Sequence, residues 1–440
     1  MNEKDAILSK LSSKTARIGV IGMGYVGLPV ALQFCHAGFR VTGFDIDEAK
    51  VKNLMAGESY IKHIPSDSIK ANVSSGKFEA VSDFDLLKTC DALIIAVPTP
   101  LSENKDPDLT YINSTAEAIA PRLRRGQLIS LESTTYPGTT RDLLLSRFVK
   151  SGLEVGKDFF LVFSPEREDP GNEKFQLSVI PKVVGGVTPA CQEVGEAVYS
   201  NIVGRVVRVS SCETAEMTKL LENIFRSVNI ALVNELKMLA DRMGLDIWEV
   251  IDASSTKPFG FMPFYPGPGL GGHCIPIDPY YLSWKAKEYD FSTRFIELAG
   301  EINSHVPYWV VGKIAETLNA MSKCLKGSSI LMLGMAYKKN VDDMRESPAL
   351  HLLELLGKQG AKMSYHDPYI PKAPKTRKFD FHMESVDLTP ANIAAADAVL
   401  IVTDHDNVDY ELVVKHARVV IDTRNATKRV KGVKKNVVMA

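Results

Sequence analysis

Three glycines, Gly22, Gly24 and Gly27, stand in the spacing GxGxxG directly after the apolar run RIGVI. In such a turn the first glycine permits the tight bend and the second lets a pyrophosphate approach the backbone. The third allows a helix to pack closely on the strand. The helical stretch LPVALQFCHAG that follows would offer free N–H groups and its positive end to phosphate. A second apolar run, RVTGFD, ends on Asp45, where a carboxylate accepts hydrogen bonds from ribose hydroxyls. Asp47 is close by and no arginine directly follows Asp45, so a 2′-phosphate would meet negative charge. NAD is therefore expected over NADP, with Tyr25 and Val26 of the same turn in the binding set. The plainer reading of Asp45 is a turn cap.

Cys274 lies in GPGLGGHCIPIDP. Glycine at that density implies a backbone that approaches a ligand closely or adopts positive φ, and a thiol there is expected to be accessible. Cys35 and Cys90 read instead as small core hydrophobes, while Cys191, Cys212 and Cys324 have no signature around them. A nucleophilic thiol beside a hydride-accepting cofactor defines a narrow chemistry. A primary alcohol loses hydride to give an aldehyde, and the thiolate traps it as a thiohemiacetal. A second hydride loss gives a thioester, and water releases the acid. His273 is not the expected base, because neighbours in a turn often point apart and geometry is the first requirement.

The elements that must position these groups follow from the pattern of apolar runs. Strands are expected at 17–21, 40–45, 91–97, 127–133 and 159–165 with helical segments between them, which predicts a parallel, doubly wound sheet. From about Ser211 to His305 the apolar spacing is helical, interrupted by the Gly/Pro-rich segment KPFGFMPFYPGPGLGGHCIPIDPYY. From Ser328 the alternation returns and the chain echoes itself. SILMLGMAYKK resembles RIGVIGMGYVG, AADAVLIVTDH resembles TCDALIIAVPT, and RVVIDT has a counterpart in QLISLES. The fold class expected is α/β: two doubly wound Rossmann-like parallel-sheet domains joined by a helical middle domain. The boundaries fall at 14–210 for the dinucleotide-binding domain, 211–322 for the helical domain with the Cys274 loop, and 323–440 for the second sheet. The second turn reads GMAYKK, without the second and third glycines, and Lys338 and Lys339 there would provide point charges for a phosphate.

Composition narrows the class further. The chain has 440 residues, 45% hydrophobic and 24% charged, with a formal net charge of -1. That balance gives no reason to expect nucleic acid or a membrane surface as partner. No Cys-x-x-Cys pair or Cys/His ligand spacing occurs, so no metal and no disulfide framework is expected. Free thiols and the absence of a leader-like apolar run at the N-terminus point to the cytoplasm. The basic tail around Lys428, Arg429, Lys431, Lys434 and Lys435 reads as a solvated end.

Taken together, GMGYVGLP, ESTTYPGTT, SPER, KLLENIFRSVNIALVNE, PGPGLGGHCIPIDP and AYKKNVDDMRESPA resemble the UDP-glucose/GDP-mannose dehydrogenase family over essentially the whole chain. Within the family the chain looks most like the bacterial UDP-N-acetylglucosamine 6-dehydrogenases. The UDP-glucose enzymes commonly carry a lysine just before the aspartate, where this chain has Ile277. The resemblance implies NAD as cofactor and oxidation of the C6 alcohol of UDP-N-acetylglucosamine to the uronate, for bacterial surface polysaccharide. UDP-glucose and UDP-N-acetylmannosamine are the alternatives. It further implies Cys274 as nucleophile, and Lys219 and Asn223, one helical turn apart, as groups that stabilise developing oxyanions. Asp278 and Thr134 would hold water or adjust proton transfer, and Glu166 would be the general base. The same resemblance places Thr99, Thr134 and Arg345 on the cofactor side and Glu166, Arg167, Lys219, Asn223, Tyr265, Gly271 and Lys338 on the substrate. It implies a cleft between the two sheets and a homodimer or higher homo-oligomer built on the helical domain. Two other classes stay open: a two-electron hydroxyacid-type dehydrogenase that needs no thiol, and a non-catalytic NAD or UDP-sugar sensor.

Overall fold

The structure, a computed structural model, describes residues 2–62, 64–102, 104–167, 178–272, 275–376, 379–432 and 434–440. The chain divides into two compact units, Met1–Glu222 with Tyr280–Phe291, and Asn223–Pro279 with Ser292–Ala440.

The first unit is built on eight strands: β1 (Arg17–Ile21), β2 (Arg40–Phe44), β3 (Phe78–Val81), β4 (Ala92–Ile95), β5 (Leu128–Leu131), β6 (Phe160–Phe163), β7 (Lys182–Gly186) and β8 (Val206–Val209). They form one sheet in the order β3-β2-β1-β4-β5-β6-β7-β8. Every neighbouring pair is parallel except β6 and β7. β4, β5 and β6 read ALII, LISL and FLVF with every residue buried, the near-continuous apolar run of a sheet covered on both faces. Strand order reverses between β1 and β4, the position where doubly wound sheets open a crevice at their carboxyl edge.

The second unit carries β9 (Ser329–Leu333), β10 (Lys362–His366), β11 (Ala398–Ile401), β12 (Val420–Asp422) and β13 (Val437–Met439). All are parallel, in the order β10-β9-β11-β12-β13. This order repeats β2-β1-β4-β5-β6, so the internal echo in the sequence is a repeat of topology. The repeat extends to side chains. Asp91 accepts the Arg17 N–H at 3.0 Å and pairs with Lys10 and Arg124 at 2.8 and 2.9 Å. Asp397 accepts the Ser329 N–H at 2.9 Å and pairs with Lys323 and Arg418.

In the C-terminal tail Lys428, Arg429, Lys431 and Lys435 are exposed and Lys434 half-buried, while the last residues join the sheet. Val437–Met439 adds to the sheet beside β12, and Ala440 is buried, its N–H donating to the Asp422 carbonyl at 2.9 Å. The triplet VVM is half-buried, and only Ala440 beyond it is buried.

Between the sheets in sequence lies a helical region: Cys212–Met243, Ile247–Ser254, Asp278–Ala286 and Arg294–Ala320. The first of these buries an unusual number of polar side chains. Glu216, Lys219, Asn223, Ser227, Asn234 and Lys237, at helical steps, are buried. Met217, Leu221, Phe225, Leu232, Leu236, Leu239 and Met243 are exposed. An amphipathic helix ordinarily buries its apolar stripe; here these polar side chains share the buried face with Cys212, Ala215, Leu220, Ala231, Val233 and Ala240, and a second apolar row faces outward. Among the described residues no helix is long and apolar enough to cross a membrane.

Candidate active site

The turn after β1 has the strain and the space that a pyrophosphate requires. Gly22 has φ +93°, a conformation L side chains rarely adopt, and a Cβ on Gly27 would lie 1.8 Å from the Gly22 carbonyl oxygen. A Cβ on Gly24 would meet nothing within 4 Å. Gly24 is thus not demanded by internal packing, and its bareness leaves the surface of the turn open. The helix Gly27–His36 starts there with no acidic residue in its first turn, so its positive end is uncompensated by side chains of its own. Tyr25 and Val26 complete the turn. Asp45 follows β2 and is nearly buried, accepting the Met23 N–H at 2.9 Å and the Asp47 N–H at 3.0 Å. These residues fit NAD.

At the carboxyl ends of β4 and β5, Thr99 is buried and Thr134 half-buried. Ser133 next to Thr134 ties the two strand ends together, its hydroxyl donating to the Val97 carbonyl at 2.8 Å. The TTYPGTT segment is then anchored by Glu216. Its carboxylate accepts the Gly138 N–H at 2.6 Å, the Thr140 N–H at 2.9 Å and the Thr140 hydroxyl at 2.7 Å. Burial pushes the Glu216 carboxyl up to about 7 against those hydrogen bonds. Three residues further along the same helix is Lys219, buried, whose ammonium donates to the Glu166 carbonyl.

Glu166 belongs to a buried charge cluster. Lys182 reaches the Glu132 carboxylate at 2.9 Å and the Glu166 carboxylate at 3.3 Å. Tyr199 donates to Glu132 at 2.6 Å. Burial raises the Glu132 carboxyl above its ordinary range despite Lys182. Burial also works against the Lys182 ammonium, but the two carboxylates outweigh it and hold the lysine charged. Arg167 forks onto Glu222 at 2.5 and 3.2 Å and donates to the Pro181 carbonyl at 2.7 Å.

In the second unit, Asn223 donates to the Asp278 carboxylate at 2.6 Å, and both side chains are buried. The segment before Cys274 is fastened from the long helix. Asn234 accepts the Gly267 N–H at 3.0 Å, and Lys237 donates to the Gly267 carbonyl at 3.0 Å with its ammonium 4.7 Å from the Trp309 ring centre. Burial, with Arg424 nearby, pulls Lys237 down to about 7. Gly269 and Gly272 take φ +138° and +86°, and a Cβ on Gly271 would come within 2.7 Å of Tyr337. Gly272 donates to the Arg345 carbonyl at 3.1 Å, while the Arg345 guanidinium is held by Asp343. Tyr265 donates to Asp252 at 2.7 Å. Cys274 and His273 lie outside the described residues.

The second glycine turn is built for something other than a dinucleotide. Gly334 keeps the bend at φ +90°, but Ala336 and Lys339 stand where Gly24 and Gly27 do in the first. The next helix starts only at Pro348. Asp367 accepts the N–H groups of Met335 and Ala336 at 2.6 and 3.0 Å and is met by buried His405 at 3.1 Å. Burial opposes its charge, yet His405 and the backbone donors keep its carboxyl below the usual range. Lys339 pairs with Asp406 at 3.0 Å, and Lys338 beside it is half-buried.

Family relationships decide what these two turns serve. The NAD binding domain of the UDP-glucose/GDP-mannose dehydrogenase family matches residues 16–203, its central domain residues 213–305, and its UDP binding domain residues 331–429. The chain belongs to the UDP-glucose/GDP-mannose dehydrogenase family. Its cofactor is NAD, and its activity is NAD-dependent dehydrogenation of a UDP-sugar. The UDP-N-acetyl-D-mannosamine dehydrogenase of Pyrococcus horikoshii is 36% identical over 94% of this chain and 96% of its own. The UDP-N-acetyl-D-glucosamine 6-dehydrogenase of Pseudomonas aeruginosa is 34% identical over 81% and 84%. Among solved structures, the P. horikoshii UDP-D-ManNAc dehydrogenase aligns with a TM-score of 0.85 at 33% identity, covering 96% of this chain and 98% of that one. A UDP-glucose dehydrogenase from Pyrobaculum islandicum aligns at 0.83, 27% identical, covering 96% of each.

Sequence reasoning within this family missed Glu132, Lys182, Tyr199, Glu216 and Lys237. The signal for two of them was present: Glu216 and Lys237 continue the periodicity of Lys219 and Asn223 on one helical stripe. Lys182 and Tyr199 had no local pattern, since their partners are distant in sequence.

Proposed function

We propose that this chain oxidises the C6 alcohol of a UDP-2-acetamido-hexose to the carboxylate through a thioester on Cys274. The observation that supports it most directly is the buried polar stripe of the helix Cys212–Met243, which holds Lys219 against the Glu166 carbonyl and Asn223 against Asp278. Buried lysine and asparagine on a helix cost desolvation and persist where chemistry uses them. Of the proteins named above, one is a UDP-N-acetyl-D-mannosamine dehydrogenase, one a UDP-N-acetyl-D-glucosamine 6-dehydrogenase and one a UDP-glucose dehydrogenase, so UDP-N-acetylglucosamine and UDP-N-acetylmannosamine are the first two substrates to test.

The chemistry NAD supplies when bound is hydride acceptance, twice per turnover. The first oxidation converts the C6 alcohol to an aldehyde. The Cys274 thiolate adds to the aldehyde carbon, and Lys219 and Asn223 donate to the oxyanion that develops. Oxidation of the resulting thiohemiacetal gives the thioester. Water then adds to its carbonyl carbon, the C–S bond breaks, the thiolate is regenerated and Glu166 takes the proton from the water. The balance is one alcohol, two NAD and one water to one carboxylate, two NADH and three protons. Thr134 and Asp278 position the water and the proton path, Asp278 through its bond to Asn223. Asp45 and Thr99 serve the NAD side with the glycine turn, and Arg345 flanks it. Arg167, Tyr265, Gly271 and Lys338 serve the substrate. Three of the described cysteines are buried and held as thiols. Burial lifts the thiols of Cys35 and Cys90 to about 12 and 11 and pushes that of Cys212 up as well, which makes them poor nucleophiles at neutral pH.

The three parts, 14–210, 211–322 and 323–440, are assigned to NAD, to the catalytic loop with self-association, and to the UDP moiety. Self-association as a homodimer is supported by the outward apolar stripe from Met217 to Met243, an extent of apolar surface that monomers rarely leave open. NADH formation measured with UDP-N-acetylglucosamine, UDP-N-acetylmannosamine and UDP-glucose tests the reading. It expects turnover with an acetamido sugar at least tenfold above UDP-glucose. Turnover of UDP-glucose alone, or of no UDP-hexose, overturns it.

A further inference from the structure

Glu166 does not stand alone in its pocket of the first unit. Its carboxylate shares one ammonium, that of Lys182, with a second carboxylate, Glu132. All three side chains are almost completely removed from water. Two acids face one shared base, with the Lys219 ammonium at the Glu166 carbonyl, and a low-dielectric interior tolerates unbalanced charge badly. The cluster provides one relief: Glu132 is backed by the hydroxyl of Tyr199 at 2.6 Å, which is itself 2.7 Å from Ser130. Lys182 enters from β7, the strand that pairs antiparallel with β6, and so comes at the cluster from beyond the strand that leads to Glu166.

We propose that Lys182 is a positioning residue for the hydrolytic half of the reaction. It holds the Glu166 carboxylate ionised and aimed, with Glu132 as a standing counter-anion. The inference rests on Glu166 acting as the base in thioester hydrolysis. When water adds to the thioester carbon, its proton passes to Glu166 as the C–S bond breaks and the thiolate leaves. Protonation of Glu166 then leaves Lys182 paired with Glu132, so no buried cation is stranded at any stage. When Glu166 gives up its proton again, Lys182 is already in place to stabilise the carboxylate. An opposite charge at this distance lowers a carboxyl by about one to three pH units.

The experiment compares full-length wild type, Lys182→Arg, Lys182→Met, Glu166→Gln and the double variant Lys182→Met/Glu132→Gln. The double variant removes Glu132 together with Lys182, so that one buried acid and not two loses the ammonium. Three quantities are read: the amplitude of the rapid NADH burst, the steady-state kcat across pH, and the sugar–enzyme adduct by intact mass after acid quench. Lys182→Met and the double variant are expected to keep the burst, lose tenfold or more in steady-state kcat and accumulate adduct. Their acid limb of kcat should move up by about one pH unit or more, with Lys182→Arg restoring most of both. A burst and steady state lowered together, or a variant with an unmoved acid limb, overturns the role of Lys182. Failure of Glu166→Gln to accumulate adduct overturns the underlying reading of Glu166. Adduct in Glu166→Gln but not in either lysine variant overturns the inference about Lys182 alone.

Discussion

Asp45 and Asp367 occupy the same station in two related sheets, and only Asp367 is capped by a buried histidine. Each follows the second strand of its repeat and accepts backbone N–H groups from its glycine turn: Met23 for Asp45, Met335 and Ala336 for Asp367. His405 meets Asp367 through Nε2 at 3.1 Å, and its Nδ1 accepts the Asn340 N–H at 2.9 Å. One copy of the device thus serves the loop that carries Lys338, while the other is available to a ligand. Asp45→Asn keeps one carbonyl for Met23 and weakens the charge-assisted bonds to ribose. NAD affinity is expected to fall about tenfold or more. Asp367→Asn should lower stability and leave NAD affinity within twofold. Calorimetric titration with NAD distinguishes the two, and equal losses would contradict the assignment.

Asn223 joins the long helix to Asp278 at the start of the helix Asp278–Ala286. Asn223→Ala removes a donor aimed at developing charge, so kcat should fall on the order of 100-fold while NAD affinity holds. Steady-state kinetics with NAD titration in parallel checks this; a loss confined to NAD binding would place Asn223 elsewhere.

Lys237 sets a pH dependence with a definite sign. Its ordinary value is 10.5 and its folded value about 7. Between the two, the unfolded chain binds the extra proton, so the Lys237 contribution grows as pH rises from about 7 toward 10.5 and is lost as pH falls through about 7. Thermal melts from pH 6.5 to 9 should show the wild type gaining on Lys237→Met as pH rises. Parallel curves would mean that the lysine is not neutralised in the fold.

The outward stripe of the same helix predicts self-association. Leu236→Glu with Leu239→Glu places charge in the middle of it, and sedimentation should then report a monomer where the wild type sediments as a dimer. Unchanged sedimentation would move the interface to another face.

The glycine turn, the central strands and the repeat were legible because their signals are local. GxGxxG, four-residue apolar runs such as ALII and FLVF, and the paired phrases around Gly22 and Gly334 each sit within a short stretch of chain. The strands β3, β7, β8, β10 and β13 were not, being short and mixed in polarity, and β13 was hidden among lysines. The charge cluster was illegible for a different reason. Glu132 follows β5, Lys182 opens β7 and Tyr199 ends the helix Pro189–Tyr199, so a fold must exist before they meet. The buried polar side chains of the long helix lay between these cases, readable in spacing but set among apolar residues on the same buried face.

The most direct test is the NADH yield per UDP-sugar consumed, for wild type and Cys274→Ser. The account predicts two NADH per sugar in the wild type and loss or stalling of turnover in the variant. One NADH per sugar with an unaffected variant would contradict it, leaving a two-electron dehydrogenase in which Cys274 has no covalent role.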